Sequence, residues 1–269
     1  MSLNPFSTIL ANRTKHDQQV EFTLPEDWLQ GRTAFGGVAA SLALAAMRDV
    51  TAIDRPVRSL QTNFVGPIGP GPFTVLVQSL RQGKSMSQVQ ATIFQNEQPT
   101  CVLLAIFGES RPTTLPSFCP ELTPIEPPQA FQDRPYIPGL MPVFTQHLFS
   151  RPVEGGIPFS GSSLRHNRIY LKLKDIPVDS ELLTVLLSDA IPPAALALAN
   201  HPIWASTVSW WLEFRSVSEA RPDDWWLLES EVTALSEGFG HHSYTLWTPS
   251  REPIAFGRQM VAVFEGRSQ

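Results

Sequence analysis

The chain has 269 residues, of which 42% are hydrophobic and 17% charged, which allows a sizeable core and excludes global disorder. Its formal net charge of −5 argues against nucleic acid as the main partner. The two cysteines, Cys101 and Cys119, have neither metal-ligand spacing nor the density of a disulfide scaffold, which suits a reducing compartment. No apolar run approaches the roughly 18–20 residues of a membrane span, and residues 1–17 lack the apolar region of a signal peptide. We therefore expect a soluble, cytoplasmic protein.

The first half of the chain is predicted to contain one helix and an antiparallel sheet. After a short strand at Glu21–Leu24, the alanine-rich run Thr33–Met47 predicts a helix that begins near Gly36–Gly37. The paired glycines leave backbone N–H groups uncovered at the positive end of this helix, where a carbonyl or an anion can dock. Small residues would also simply let the helix lie close under a sheet. The strands that follow, joined by hairpin connections, are Val57–Phe64, Phe73–Leu80, Ser87–Gln95 and Thr100–Phe107.

A proline-rich segment divides the chain. Eleven of the 25 prolines lie between Pro112 and Pro158, and this stretch has no sustained helical or strand period. We predict a linker over residues 111–165, between an N-terminal unit (1–110) and a C-terminal unit (166–269). The side chains expected to anchor the linker along the surface are Phe131, Tyr136, Phe144 and Phe149.

The second half of the chain repeats the order of the first. Phe64 and Phe214 each close the first long strand of their half, and Gly83 and Gly238 each lie at a hairpin. A strand, helix and four-strand unit used twice predicts a duplicated α+β fold, with two sheets joined around two central helices. The predicted elements are the strand Arg168–Leu173, the helix Ser180–Ala199 and the strands Thr207–Phe214, Trp225–Leu235, His241–Trp247 and Ile254–Phe264.

The predicted helix Ser180–Ala199 carries an unusual carboxylate. The helix is apolar almost all round, as buried helices are, yet Asp189 lies in its middle. Pro192 and Pro193 cannot donate to the carbonyls of Ser188 and Asp189, so they are expected to kink or stop the helix. A buried carboxylate there is costly unless a nearby group uses it. The alternatives are local hydrogen bonds to backbone amides or an exposed helix end.

Five stretches of the sequence form an ordered set of motifs. They are FGGVAASLALAA at 35–46, RQGKSMSQVQATIFQNEQP at 81–99, LLSDAIPPAAL at 186–196, TVSWWLEF at 207–214 and IAFGRQMVAVF at 254–264. Together they resemble the acyl-CoA thioesterase II family. The resemblance implies a double hotdog fold, in which each of two repeats wraps an antiparallel sheet around a central helix. It also implies hydrolysis of acyl-CoA to free acid and CoA, without a cofactor or a metal.

The resemblance also implies which residues act. In that family a helix Asp, a strand Thr or Ser and a last-strand Gln hold the attacking water, and these match Asp189, Thr207 and Gln259. A one-residue shift would place the hydroxyl on Ser206, which stays the alternative. Strand alternation does not decide between them, because the apolar residues of that strand share the face of Ser206. Gln259 alternates onto a face of small residues, where a helix or a ligand can approach closely.

When the positions of Asp189, Thr207 and Gln259 are transferred to the first half by the landmarks that the two halves share, no matching polar residues are found. The Gln position falls on Val102, the hydroxyl position on Val57, and the helix position near Ala39–Ser41. We therefore predict one hydrolytic site per chain, in the second half. The first half is expected to contribute packing and part of the substrate tunnel.

Further candidates concern substrate binding. The backbone N–H groups of Gly36 and Gly37 are candidate donors to the developing oxyanion. Arg58, Arg81 and Lys84 are candidate contacts for the CoA phosphates, although a solvated basic turn is the simpler interpretation. Open sheet edges and exposed aromatic residues favour a homo-oligomer.

One rival function stays open, and a second is disfavoured by the sequence. One is a non-catalytic acyl-CoA-binding or assembly protein that kept the fold; the residue that begins the family's H-S-Y-F strand motif is Gln61 here instead of His. The other is a hotdog hydratase, which needs an Asp-x4-His pair, whereas Ala194 stands five residues after Asp189. His241 and His242 are adjacent on a strand and point to opposite faces, so they make a poor metal pair.

Overall fold

The computed structural model describes residues 3–175, 178–216 and 221–264. Its helices are α1 (Phe6–Ala11), α2 (Gly36–Thr51), α3 (Ser180–Ser188) and α4 (Ala195–Leu198). Its strands are β1 (Thr14–Lys15), β2 (Gln19–Leu24), β3 (Leu29–Gln30), β4 (Thr33–Ala34), β5 (Val57–Phe64), β6 (Gly71–Gln82), β7 (Met86–Gln95), β8 (Gln98–Gly108), β9 (Leu148–Gly155), β10 (His166–Leu173), β11 (Trp204–Phe214), β12 (Trp226–Ser236), β13 (Phe239–Trp247) and β14 (Pro253–Phe264).

One antiparallel sheet of twelve strands organises the described part of the chain. Its order is β1-β2-β6-β7-β8-β5-β11-β14-β13-β12-β10-β9, and β3 and β4 pair separately. The order reads symmetrically outwards from the central pair, β5 and β11. On one side the last strand of the first half, β8, lies beside β5, and on the other the last strand of the second half, β14, lies beside β11. The predicted strands of both halves are therefore present, most of them longer by one to three residues at an end.

Helices α2 and α3 cross the inner face of this sheet side by side. The hydroxyl of Ser41 donates to the carbonyl of Leu182 at 3.0 Å, and Arg48 pairs with Glu181 at 2.5 Å. Alanine and glycine on α2 permit this close approach. The largest cluster of buried hydrophobic residues contains side chains from both helices and both halves of the sheet, so they share one core.

The helix predicted over Ser180–Ala199 is interrupted. The α3 segment begins where Asp179 accepts hydrogen bonds from two first-turn amides, and it ends at Ser188. Asp189 caps its C-terminus, and α4 starts only after Pro192 and Pro193. Because those prolines leave the carbonyls of residues 188 and 189 without donors, the helix stops a turn before the first proline. Asp189 thus lies at a helix end and not in a helix middle.

The segment predicted as a linker contributes a strand. β9 pairs along β10 from Leu148 opposite Leu173 to Gly155 opposite Asn167 and forms an edge of the sheet. This strand was not predicted, because Pro152 and the glycines that follow interrupt the alternation of apolar and polar residues. The aromatic anchoring of the segment is seen at Phe144, which stacks on Phe35 with ring centroids 3.8 Å apart.

Within the three described stretches, no helix combines the length and the apolar character that crossing a membrane requires.

Candidate functional site

Three predicted side chains meet in one hydrogen-bonded set. The amide nitrogen of Gln259 donates to Oδ1 of Asp189 at 3.1 Å and to Oγ1 of Thr207 at 2.8 Å. They come from the end of α3, from β14 and from β11, so residues up to 70 positions apart converge. The other carboxylate oxygen of Asp189 accepts from the backbone N–H of Gly37 at 2.9 Å.

The glycine pair at the start of α2 lets Asp189 approach. A Cβ atom on Gly36 would lie 2.6 Å from Oδ2 of Asp189 and 2.9 Å from the ring of Phe64. A Cβ on Gly37 would lie 2.6 Å from the carbonyl oxygen of Leu186, in the last turn of α3. Both positions therefore need glycine for close contact between the two helices. The contact places the carboxylate at the positive end of α2, which favours a negative charge.

A β-bulge decides which hydroxyl enters the site. Thr207 is opposite Val261 and Trp210 is opposite Gln259, so β11 has one residue more than β14 between these pairs. The extra residue reverses the alternation, and Thr207 comes to share the inner face with Trp210 and Gln259. Ser206 is exposed on the outer face. The expectation that Ser206 shares a face with the apolar residues of this strand is therefore wrong, and the preference for Thr207 agrees with the geometry.

Burial controls the acidity of Asp189. The surrounding protein raises the pKa of this carboxyl to about 7, because desolvation disfavours its charged form. The hydrogen bonds from Gly37 and from Gln259 oppose the rise. The group can therefore gain and lose a proton near neutral pH, as a general base must.

The two candidate oxyanion donors at the start of α2 differ. The N–H of Gly37 is already used by Asp189. The N–H of Gly36 has no hydrogen-bond partner among the described residues. In this arrangement only the Gly36 amide is free for a substrate carbonyl.

Two family models together cover most of the chain. The model of the acyl-CoA thioesterase N-terminal domain matches residues 24–108, and that of the C-terminal domain matches residues 116–263. The chain belongs to the acyl-CoA thioesterase family. It is a thioesterase, as its resemblance to the acyl-CoA thioesterase II family implied. No curated protein matches the sequence significantly.

Solved structures show that the thioesterase has a hotdog fold. A conserved hot dog fold protein of unknown function from Alicyclobacillus acidocaldarius is 18% identical, with 97% of this chain and 98% of that one covered and a TM-score of 0.85. A tesB protein from Mycobacterium avium subs paratuberculosis is 15% identical, with coverage of 97% and 98% and a TM-score of 0.80. An acyl-CoA thioesterase II from Mycobacterium marinum is 16% identical, with coverage of 98% and 100% and a TM-score of 0.78.

The basic residues suggested for CoA lie away from Asp189. Arg58 is near the start of β5 and donates to the carbonyl of Gly108 at 2.8 Å and to the hydroxyl of Ser216 at 2.7 Å. Phe64, beside the site, is six residues further along β5, or roughly 20 Å. Arg81 and Lys84 lie at the β6–β7 hairpin and are also remote from the hydrogen-bonded set. A CoA-binding role for these three residues stays a prediction.

The described parts of the thioesterase contain no group of three His, Cys, Asp or Glu side chains that could hold a metal ion.

Three buried polar residues near the site, Thr62, His242 and Tyr244, were not among the predicted site residues. Two of them lie in a row of four residues that face one another on neighbouring strands: Thr62 on β5, Trp210 on β11, Gln259 on β14 and His242 on β13. Oγ1 of Thr62 and Nδ1 of His242 have no hydrogen-bond partner among the described residues. Burial lowers the pKa of His242 to about 4, so this ring is neutral at physiological pH. The third is Tyr244, whose ring lies over Gly257; that small residue in β14 was the available signal.

Proposed function

We propose that this thioesterase cleaves acyl-CoA to a free acid and CoA with a water activated by Asp189, Thr207 and Gln259. The observation that carries the proposal is the hydrogen-bonded set itself, in which one amide joins the carboxylate to the hydroxyl. Such a set, beside the N-terminus of a helix, offers a base, two groups to orient a water and a donor to a carbonyl oxygen.

The proposed reaction needs no covalent enzyme intermediate. Asp189 takes a proton from the water as the water oxygen bonds to the thioester carbon, and the carbonyl becomes an oxyanion. The oxyanion collapses, the carbon–sulfur bond breaks, and the thiolate receives the proton from Asp189. Thr207 and Gln259 hold the water in line with the carbon, while Gly36 N–H faces the oxyanion.

The proposed base predicts a pH dependence. Only the ionised form of Asp189 accepts a proton, and its pKa lies at about 7. We expect kcat to rise with pH through about 7 and then to reach a plateau.

We further propose that the fold is a double hotdog produced by duplication. The symmetric strand order supports this, with repeats over residues 1–110 and 166–269. Residues 111–165 connect them and add β9 to the sheet edge. Exposed Trp204 and Phe264, paired across β11 and β14, support self-association, which light scattering of the full chain can measure.

The test is thiol release from a series of acyl-CoA chain lengths, with wild type beside Asp189→Asn. The variant keeps the shape of the side chain but cannot act as a base, so we expect kcat to fall by about 10³-fold. Asp179→Asn is the matched control at the other end of α3. Asn is an equally good helix cap there, so activity should stay at the wild-type level.

Activity of Asp189→Asn within a few-fold of wild type would show that another group activates the water. Absence of wild-type turnover with every acyl-CoA would contradict the proposed substrate class.

A further inference from the structure

A buried phenol lies beside the proposed base. Tyr244, on β13, is 7% exposed and faces the same inner side of the sheet as Gln259. Its cross-strand neighbour is Gly257, where a Cβ would overlap the phenol ring. Glycine at that position opens the space in which the ring lies flat across β14 towards β11.

The oxygen of Tyr244 accepts a hydrogen bond. The indole N–H of Trp210 donates to the phenol oxygen, and an indole nitrogen can only donate. The phenol is therefore the acceptor in this bond, and its own proton points elsewhere. No acceptor for that proton occurs among the described residues. A buried O–H donor without an acceptor is costly unless a bound molecule supplies one.

The surroundings keep this phenol protonated. Burial and the nearby charge of Asp189 both raise the pKa of Tyr244 well above its ordinary value. The contacts link the phenol to the carboxylate: its oxygen contacts the indole of Trp210, Trp210 lies opposite Gln259, and the Gln259 amide donates to Asp189. The phenol is consequently a hydrogen-bond donor at every pH at which Asp189 acts as a base.

The proposed reaction needs hydrogen-bond donors to the oxyanion. The tetrahedral intermediate carries a full negative charge on the former carbonyl oxygen, and one preorganised donor there contributes about 10²–10³-fold in kcat. Gly37 N–H is occupied by Asp189, which leaves Gly36 N–H on the helix side. A second donor from the sheet side would complete a two-donor oxyanion hole.

We propose that the hydroxyl of Tyr244, held by Trp210, donates a hydrogen bond to the thioester carbonyl oxygen and stabilises the oxyanion that forms there. Tyr244 is then a catalytic residue contributed by β13. This assignment rests on the proposed function, since it needs an acyl thioester in the site.

Tyr244→Phe tests the assignment, because it removes one oxygen and keeps the ring over Gly257. We expect kcat for the best acyl-CoA substrate to fall by about 10²-fold with KM changed by less than about threefold. The midpoint of the pH profile should stay near the wild-type value. Tyr170→Phe is the matched control, since Tyr170 is also buried and donates to the carbonyl of Glu126 at 2.9 Å, in another cluster.

Two results would overturn the proposal. An unchanged plateau kcat would show that the hydroxyl does not touch the reacting carbonyl. A shifted pH midpoint with an unchanged plateau would show that it acts on Asp189 instead. Neither result bears on Asp189 as the base, which Asp189→Asn tests by itself.

A second variant separates orientation from packing. Trp210→Phe removes the indole donor and should lower kcat less than Tyr244→Phe, by about tenfold. With no phenol oxygen left to orient, the double variant should match Tyr244→Phe alone. If the fold losses in kcat of the two single variants multiply in the double variant, Trp210 acts through packing, which would contradict its proposed role.

Discussion

The inner faces of the two halves differ in what they bury. Strands β6, β7 and β8 turn apolar side chains towards α2, a continuous helix of 16 residues, and Ser87, the buried polar residue at the start of β7, accepts a hydrogen bond from Arg55. Strands β11, β13 and β14 turn Thr207, Tyr244 and Gln259 towards α3, a helix of 9 residues that ends in a carboxylate. The residues that line the first half are Phe73, Val75, Val77, Val89, Ala91, Ile93, Cys101, Leu103, Ala105 and Phe107.

This difference shows how one scaffold can hold a core and a site. The first half gives an apolar interior, and it contacts Asp189 through the backbone N–H of Gly37 at the start of α2. The second half supplies the side chains. The proposed site therefore needs both halves, although the offsets used in the sequence located it in one.

The transferred position in the first half was off by three residues. Leu60 on β5 corresponds to Trp210 on β11, and Leu60 lies opposite Ala105 on β8 as Trp210 lies opposite Gln259 on β14, whereas Val102 lies opposite Asn63. Because Ala105 is apolar, β8 has no side-chain counterpart of Gln259 at that place.

Gln259→Leu would make β14 resemble β8, and we expect from it a loss of activity as large as that of Asp189→Asn. The carboxylate loses its side-chain donor and Thr207 loses its partner, so kcat should fall by about 10³-fold in thiol-release assays. Gln78→Leu, on the exposed face of β6, is the control and should leave kcat unchanged. Wild-type kcat in Gln259→Leu would remove this residue from the proposed set.

Gly36→Ala tests the contribution of the first half. Its Cβ would lie 2.6 Å from Oδ2 of Asp189, so the carboxylate must move, and we expect kcat to fall by about 10²-fold. In Gly66→Ala the nearest atom is 4.0 Å from the new Cβ, so that control should behave as wild type. Equal activity of the two variants would mean that the close approach of α2 is not required.

The sequence predicted the elements well where one periodicity extended over a whole strand or helix. The strands on both sides of the centre, the start of α2 at Gly36 and the role of proline in ending α3 could all be inferred. β9 could not, because its alternation is broken and pairing with β10, not local preference, makes it a strand.

The proposed site residues came from the family resemblance, while their geometry came only from the fold. The hydroxyl could not be assigned from strand alternation, since the bulge between Thr207 and Ser209 reverses the alternation that such an argument assumes. The engagement of Gly37 by Asp189 depends on how two helices pack. Neither feature leaves a local signal in the sequence.

Thr207→Val should have a smaller effect, and Ser206→Ala is its control on the same strand. Valine keeps the shape of threonine but removes the acceptor of the hydrogen bond from Gln259, so we expect kcat to fall by about tenfold. Ser206 is exposed on the outer face, and its variant should keep wild-type kcat. The reverse pattern would mean that the register of β11 differs when substrate is bound.

The carboxylate that distinguishes the second half should also reduce stability, and this is the smallest effect we expect. Because the native pKa of Asp189 is about 7 against an ordinary 3.8, the folded state binds more protons between these values and stability falls as pH rises through them. The Asp189→Asn variant has no carboxyl to titrate at this position. Its free energy of unfolding should therefore exceed that of wild type by an amount that grows from pH 4 to pH 7 and then stays constant. The difference between a pKa of about 7 and 3.8 sets an upper limit of about 4 kcal/mol on this gain in stability.

The observed gain should be nearer 1 kcal/mol, on the order of 2–4 °C in Tm, since asparagine gives up charge-assisted hydrogen bonds from Gly37 and Gln259. Thermal unfolding of both proteins at pH 4.5 and pH 8 measures the difference, and Asp179→Asn provides the comparison. A gain that is equal at both pH values would mean that Asp189 is charged throughout. In that case the second half would hold its carboxylate as an ordinary ionised helix cap, and the pH profile of kcat would need another titrating group.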